Sequence, residues 1–496
     1  MIKGGVYLLA IVLIMILTIY MAMIFSVRYR TAISVMGIAV LLIYGTISAT
    51  FPATEAFKTF PLEIVVLVLA LALFSKIFEN NGFFKYIGDK FLKLSKGRKT
   101  FIAILIPFVM YATSLFMNNL SVVLLFTFIC IELAIALKLP IVPLLVSGLI
   151  ASNIGGCPLP WADTPAVILT LYSDFALVDF LTKLFLPCLI CIILLILYTL
   201  LFIKRENKIL EKAHNKHTSK DKPLKKTHNN FLKHLNDGPP PPPHEDITTE
   251  VNGELITIPP PPPPPPPFMG LKHLSNCPKW RKIVLPIIMF IFFIFFICIA
   301  PFFNISIAYI SMFFIGTMLF ITIEKPEDII NSLPVLDSLV FISALFMIAG
   351  VLENSGILGE IVVYFISFTG DSKILILLCI MISAFIIATF LSAGPAAATI
   401  LPICLQLSPI VGDKLVYAAL ALGILAGSSM LPWSATGGPI MLSEVGRFLH
   451  HNKVSPEDAI EINEIYNFKH YILFSIPFSL IILLVSALFL TIYLLI

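Results

Sequence analysis

Two series of long apolar runs, separated by one hydrophilic loop, dictate where this chain can fold. Runs at 6–25, 32–52, 61–78, 101–117, 120–137, 141–156 and 176–203 precede the loop. Runs at 283–302, 304–323, 336–352, 373–391, 396–410, 416–431 and 469–496 follow it. An α-helix rises 1.5 Å per residue, so roughly 20 apolar residues cross a hydrocarbon core about 30 Å thick. The composition agrees: of 496 residues, 58% are hydrophobic and only 12% charged, where a soluble domain has about 25% charged. Soluble domains of this total length need polar surface that the chain lacks. Disordered, collagenous and disulfide-framework classes are excluded by the same figures. The chain reads as a polytopic, all-α membrane protein. Its opening segment lacks the basic start and small-residue cleavage site of a signal peptide, so it is read as a retained helix.

The two series are copies of one another. Ile-Phe-Glu-Asn-Asn-Gly at 77–82 matches Val-Leu-Glu-Asn-Ser-Gly at 351–356, placing Glu79 on Glu353, Asn80 on Asn354 and Gly82 on Gly356. In the same register Asn118-Asn119-Leu-Ser121 falls on Ser392-Ala393-Gly394-Pro395. Leu-Pro-Trp-x-x-Thr occurs as Leu159–Thr164 and again as Leu431–Thr436. Three matches in one order identify an internal duplication. The expected organisation is a first membrane repeat at 1–203, a linker at 204–282 and a second membrane repeat at 283–496.

Charge sets the orientation. Short loops rich in Lys and Arg stay on the cytoplasmic side, and these are Arg28 and Arg30 after the first run and Lys76 to Lys99 after the third. The linker is also basic, with 14 Lys/Arg against 8 Asp/Glu, which leaves the remainder of the chain slightly acidic. A cytoplasmic linker gives the first half an odd number of crossings, so the second half is expected to be inverted. The counterpart of the basic 76–99 loop, 353–373, holds only Lys373, as inversion requires. The net charge of +4 therefore reflects one loop and carries no signal for nucleic acid. Within the linker, Pro239–Pro243 and Pro259–Pro267 favour extended polyproline II and cannot build a core. The linker is expected to be disordered, with a polyproline-binding partner for 239–267 as the functional alternative.

The eight cysteines form no framework, and Cys188-x-x-Cys191 sits in an apolar run without the turn a redox motif needs. No histidine is embedded in a span, so a buried His-rich metal site is excluded.

Polar chemistry enters the apolar runs at four places. These are Asn118-Asn119-Leu-Ser121; Ser152-Asn153-Ile-Gly155-Gly156 running to Asp163-Thr164-Pro165; Ser392-Ala-Gly394-Pro395 to Thr399; and Gly427-Ser428-Ser429 to Thr436-Gly437-Gly438. Broken helices expose free N–H groups at one end and C=O groups at the other. Asn and Ser add neutral ligands without a permanent buried charge. Small residues also serve close helix packing, but paired interruptions in two inverted halves point to a transporter's binding site. Asp163 is the one carboxylate in these clusters and its repeat partner is Ala435. It is read as a cation- or proton-binding group, or as a carboxylate near water. Trp161 and Trp433 are read as interface anchors, and Glu79 and Glu353 as helix-end residues.

At Asn118-Asn119-Leu-Ser121 through Thr127, and from Ala151-Ser152-Asn153-Ile-Gly155-Gly156 to Asp163-Thr164-Pro165, the chain resembles the ion transporter superfamily. The likeness is to its citrate-transporter-like branch, which includes arsenite permeases, NhaD-type sodium/proton antiporters and P-protein relatives. The resemblance implies two inverted-topology repeats, each with a re-entrant hairpin and an unwound helix. Carried across by position, the first hairpin tip is Asn118, Asn119 and Ser121, and the first unwound segment Ser152, Asn153, Gly155, Gly156, Asp163 and Thr164. The second tip is Ser392 and Thr399, and the second unwound segment Ser428, Ser429 and Thr436. This chain departs from antiporter-like members in having Asn118 and Ser392 where an acid is frequent, and in having Ala393 in place of the second Asn.

The expected function is secondary active transport by alternating access, coupled to Na⁺ or H⁺, with sodium/proton exchange slightly preferred. The alternatives are transport of a small anion such as arsenite or a di/tricarboxylate and, more remotely, a membrane scaffold acting through the Pro-rich loop. No enzyme activity is expected, since no serine has a membrane His beside it. No cofactor is expected beyond Na⁺ or H⁺, and no metal beyond Na⁺ at the same residues. Expected partners are the lipid bilayer, a small ion or small-molecule substrate, and a second copy of the chain in a homodimer. The expected location is the plasma membrane, the inner membrane of a bacterium, with the central loop cytoplasmic.

Overall fold

A computed structural model describes residues 2–26, 29–81, 98–116, 119, 122–123, 126–127, 129–131, 140–217, 248–251, 254–257, 284–303, 305–322, 325–333, 336–370, 372–412, 414–435, 437–438, 441 and 468–495. Asn118, Ser121, Thr436 and both proline runs lie outside these residues. The chain divides into two units, one formed by 1–204 with 279–496, the other by 205–278.

The membrane unit is helical, because a backbone without water must pair its own N–H and C=O groups. Its first half contains α1 (Ile2–Phe25), α2 (Arg30–Ser48), α3 (Ala53–Lys58), α4 (Leu62–Asn80), α5 (Lys99–Ser114), α6 (Ile141–Gly155), α7 (Thr164–Tyr172) and α8 (Phe185–His217). A π-helical turn, Phe180–Leu184, leads into α8. The second half contains α9 (Leu285–Ile299), α10 (Ile307–Ile321), α11 (Pro326–Asn331), α12 (Leu336–Asn354), α13 (Ile357–Thr369), α14 (Lys373–Leu391), α15 (Ala393–Val411), α16 (Leu415–Ser428) and α17 (Phe468–Leu495). Among the described residues, five helices are long and apolar enough to cross a membrane. A sixth crossing results if Leu339–Asn354 and Ile357–Thr369, bent by 78°, count as one span. Gly356 makes that bend with φ 78°, in the left-handed region that glycine enters without steric cost. Glu353 accordingly sits in the last turn of α12, at a helix end as expected.

The helices that carry two of the polar clusters nearly fill their 16-residue apolar runs. α6 has 15 residues and α16 has 14, about 21–23 Å at 1.5 Å per residue, which is short of the hydrocarbon thickness. Every residue of both helices is buried. A helix that is apolar all round belongs in the middle of a bundle, and these two sit there.

α5 packs on α6, and α14 packs on α16. In each pair a glycine admits the neighbour's backbone. A Cβ on Gly155 would collide with the Tyr111 carbonyl oxygen, and one on Gly427 with that of Phe385. α17 packs against both α16 and α6. α4, α9 and α10 share an aromatic core in which Phe74 lies 5.2 Å from Phe290 and 5.1 Å from Phe293, ring centre to ring centre. Such tilted and edge-on pairs are favoured by the ring quadrupoles. Lys414 before α16 donates to Asp179 before α8 at 2.9 Å, which ties the two halves together at one end.

Within 205–278, α8 runs on to His217. Thr248–Val251 (β1) pairs antiparallel with Glu254–Thr257 (β2), Thr248 facing Thr257. This hairpin is the departure from an all-helical chain among the described residues. Its Asn252-Gly253 sequence is the one favoured between paired strands.

Candidate functional site

α6 stops where the sequence turns to Gly155-Gly156-Cys-Pro158, and α7 restarts behind Asp163 with Pro165 in its first turn. Proline is tolerated there because the missing N–H has no helical partner in that turn. The interrupted stretch 156–163 is buried throughout. Asp163 stands at the N-cap position of α7 in extended backbone. Its Cβ lies against Gly156, where an added Cβ would fall 2.8 Å away.

Asn119 is 1% exposed and meets the end of α6 through both ends of its amide. Its nitrogen donates to the Asn153 side-chain oxygen, and its oxygen accepts from the Ser152 hydroxyl. The Asn153 nitrogen then crosses to the other half, donating to the Ser428 carbonyl at 3.2 Å and the Ser429 hydroxyl at 3.3 Å. One chain of amides and hydroxyls thus runs from the first tip through the end of α6 to the end of α16.

At the end of α16 the Ala426 and Gly427 carbonyls accept the backbone N–H groups of Ser429 and Met430 at 3.3 and 3.1 Å, and side chains reach these two carbonyls and their two neighbours as well. Ser429 donates to Leu425 at 2.8 Å, Ser479 to Ala426 at 2.6 Å and Thr389 to Gly427 at 3.4 Å. Asn153 donates to Ser428, and Ser434 reaches the same oxygen at 3.0 Å. Ser475 adds a 2.7 Å bond to Met430 just beyond. At the end of α6 the Ser114 hydroxyl donates to the Ser152 carbonyl at 2.7 Å, the counterpart of Thr389 on Gly427.

The residue expected at the second tip stands alone between two helices. Ser392 separates α14 from α15 with φ 79° and ψ 171°, a region occupied almost only by glycine and costing about 1–3 kcal/mol for other residues. Gly394 next to it faces the first unwound segment, since a Cβ there would lie 3.1 Å from the Thr164 methyl. Reciprocally, Gly437 of the second unwound segment faces Val123 beyond the first tip. Thr399 joins neither tip. Its hydroxyl pairs with Tyr20 of α1 at 3.0 Å.

Asn119, Ser152, Asn153, Ser428 and Ser429 are therefore brought into one network, with Gly155, Gly156, Asp163 and Thr164 beside it. Ser392 lies between α14 and α15, and Thr399 is turned to the N-terminal helix. Among the described site residues no Lys, Arg or His occurs. Trp161 is not an interface anchor. It is 6% exposed, packed with Leu115 and Ile294, because the unwound segment carrying it is enclosed by the bundle. Ser434 lies within the fourth cluster, whereas Ser114, Thr389, Ser475 and Ser479 take part without having been marked by the cluster pattern. For Ser475 and Ser479 the available signal was their four-residue spacing, which puts two hydroxyls on one face of an apolar helix.

The sequence model of the family described as "Citrate transporter" matches residues 20–412 and 305–496. The magnetosome protein MamN of Magnetospirillum gryphiswaldense is 24% identical over 474 residues, covering 94% of this chain and 96% of MamN. The human P protein is 29% identical over 215 residues, which are 42% of this chain and 25% of that protein. The silicon efflux transporter LSI3 of rice is 26% identical over 152 residues, 31% of this chain and 30% of LSI3.

Proposed function

Since the chain belongs to the citrate transporter family, we propose that this integral membrane protein is a secondary active ion transporter working by alternating access. It is coupled to Na⁺ or H⁺, and sodium/proton exchange is the leading activity. The observation that carries this reading is the buried bridge from Asn119 through Asn153 to Ser428, with the Asp163 carboxylate alongside. Such a bridge joins broken-helix ends from both halves around one polar centre, so a displacement of one half against the other remakes the network that holds the ion. The two halves act as inverted copies in this reading. The matched backbone contacts of Gly155 and Gly427, and the exchanged contacts of Gly394 with Thr164 and Gly437 with Val123, support it. Asp163 carries the exchanged proton or binds the cation. In this reading the linker faces the cytoplasm from the plasma membrane, which the Lys- and Arg-rich loops support.

The test is reconstitution into liposomes with imposed Na⁺ and pH gradients. Sodium-driven pH change is expected in the wild type and its loss in Asp163→Asn at equal protein level. Unaltered exchange in that variant removes Asp163 from the mechanism.

A second reading, transport of a small oxyanion or its neutral acid, is favoured by the family's description and by the name of the rice relative. A site of hydroxyls and amides suits a neutral hydroxylated solute better than a tricarboxylate, which would lack a cationic partner. Counterflow of labelled arsenite, without citrate counterflow or any sodium-driven pH change, selects this reading.

A further inference from the structure

Three thiols converge at the first break from two separate elements. Cys157 lies in the buried stretch between α6 and α7, while Cys188 and Cys191 sit one turn apart in α8. The two on α8 are fully buried and Cys157 nearly so. The Cys188 thiol is a hydrogen-bond partner of Cys157, and Cys191 interacts electrostatically with Cys157. None of them is in a disulfide. Two hydroxyls beside them lack partners. Those of Tyr111 and Tyr493 are buried without a hydrogen bond. Tyr111, 5% exposed, interacts electrostatically with Cys188 and Cys157, and Tyr493 does so with Cys188.

Packing as a small hydrophobe accounts for a buried thiol. It does not account for the phenols, because a buried O–H without an acceptor costs free energy. A thiolate sulfur is such an acceptor, and the thiolate is the form that binds a metal. We infer that Cys157 and Cys188 form a two-coordinate site for a linear thiophilic d¹⁰ cation, which clamps the unwound segment to α8. The ligand count selects the ion. Among the described residues no group of three or more His, Cys, Asp or Glu is placed to hold a metal, whereas tetrahedral zinc needs four ligands. Sulfur ligands favour soft cations. With mercuric chloride, two S–H and two Hg–Cl bonds break, two Hg–S bonds form and two HCl leave, with no change of oxidation state. Reagent and bis-thiolate are both neutral, so neither brings an unpaired charge into the apolar interior. The Tyr111 O–H then has a sulfur to donate to.

The inference rests on the proposed function only for the effect on flux. The experiment treats the purified full-length chain with mercuric chloride, washes with glutathione to strip ions held by single thiols, and counts retained mercury by mass spectrometry. The wild type is expected to retain one ion per chain more than Cys157→Ala or Cys188→Ala, and Cys191→Ala as many as the wild type. In liposomes the loaded wild type is expected to lose its flux and regain it with a dithiol. Loaded Cys157→Ala keeps the flux it had before treatment. Equal mercury in the wild type and both variants, the same loss in Cys191→Ala, or full flux with the extra ion bound overturns the inference. Should one variant not fold, the other decides. Absence of flux in the untreated wild type defeats the proposed function, and the mercury count alone then judges the site.

Discussion

The side-chain nitrogen of Asn153 lies 3.2 Å from the backbone oxygen of Ser428, so one amide closes a helix end that belongs to the other half of the molecule. Truncation at this position removes partners on three sides. Asn153→Leu leaves the Asn119 amide nitrogen without its acceptor, at about 1–3 kcal/mol for a buried group, while the Ser428 carbonyl keeps its bond from Ser434. Flux in liposomes is expected to fall at least tenfold, with a lower thermal midpoint in detergent. Wild-type flux would mean the bridge is dispensable.

Ser392 holds a backbone conformation suited to glycine. Ser392→Gly is expected to stabilise the folded chain by about 1 kcal/mol, and Ser392→Val to destabilise it by at least as much. Thermal melts of the purified variants check the order glycine, serine, valine. Any other ranking contradicts the strained backbone at Ser392.

Gly155 and Gly427 let neighbouring backbones touch. A methyl at either position meets a carbonyl oxygen rather than a movable side chain, so Gly155→Ala and Gly427→Ala should each cost about 1–3 kcal/mol. Gly316 in α10 has nothing within 4 Å of an added Cβ. Gly316→Ala should stabilise by about 0.5–1 kcal/mol through helix propensity alone. Equal losses at all three glycines would contradict the close approach.

Ser479 and Ser486 lie on the same helix but do different jobs. The Ser479 hydroxyl caps Ala426 of α16 at 2.6 Å, whereas Ser486 bonds Ile482 of its own helix at 2.7 Å. Ser479→Ala is expected to lose about 0.5–1.5 kcal/mol, the net worth of one hydrogen bond between helices, and to lower flux, although Ala426 keeps the Ser429 backbone N–H. Ser486→Ala should lose under about 0.5 kcal/mol, because the Ile482 carbonyl keeps its place in the helical ladder. Melting and flux assays on the pair distinguish a cap from a spectator.

Replacing 206–278 by a flexible Gly/Ser linker tests where the activity resides. Transport by the membrane unit predicts flux within about twofold of wild type, since lengthening or shortening a flexible loop changes closure entropy by only ~0.6 kcal/mol per doubling. Loss of flux at normal protein level would assign a role to the proline-rich segment.

Much of the architecture was legible in the order of residues. Apolar runs near 20 residues long have one stable environment, and the backbone's need to pair itself leaves one secondary structure there. The interruption at Gly155-Gly156 was equally plain, because glycine and proline act on the local backbone. Asn119 and Asn153 were marked as candidates for the same reason, each being an amide beside such a break.

Which groups those amides would meet was not legible. The Asn153–Ser428 contact spans 275 positions, and no local propensity encodes a partner at that distance. Ser475 and Ser479 looked like ordinary small residues of an apolar helix until packing set them against the end of α16. Trp161 looked like an interface residue until the bundle enclosed it. Composition and periodicity settle how each segment satisfies its own backbone. Only the packing of both halves decides which side chains satisfy the backbone that the breaks leave over, because a hydrogen bond acts across about 3 Å of space whatever the separation along the chain.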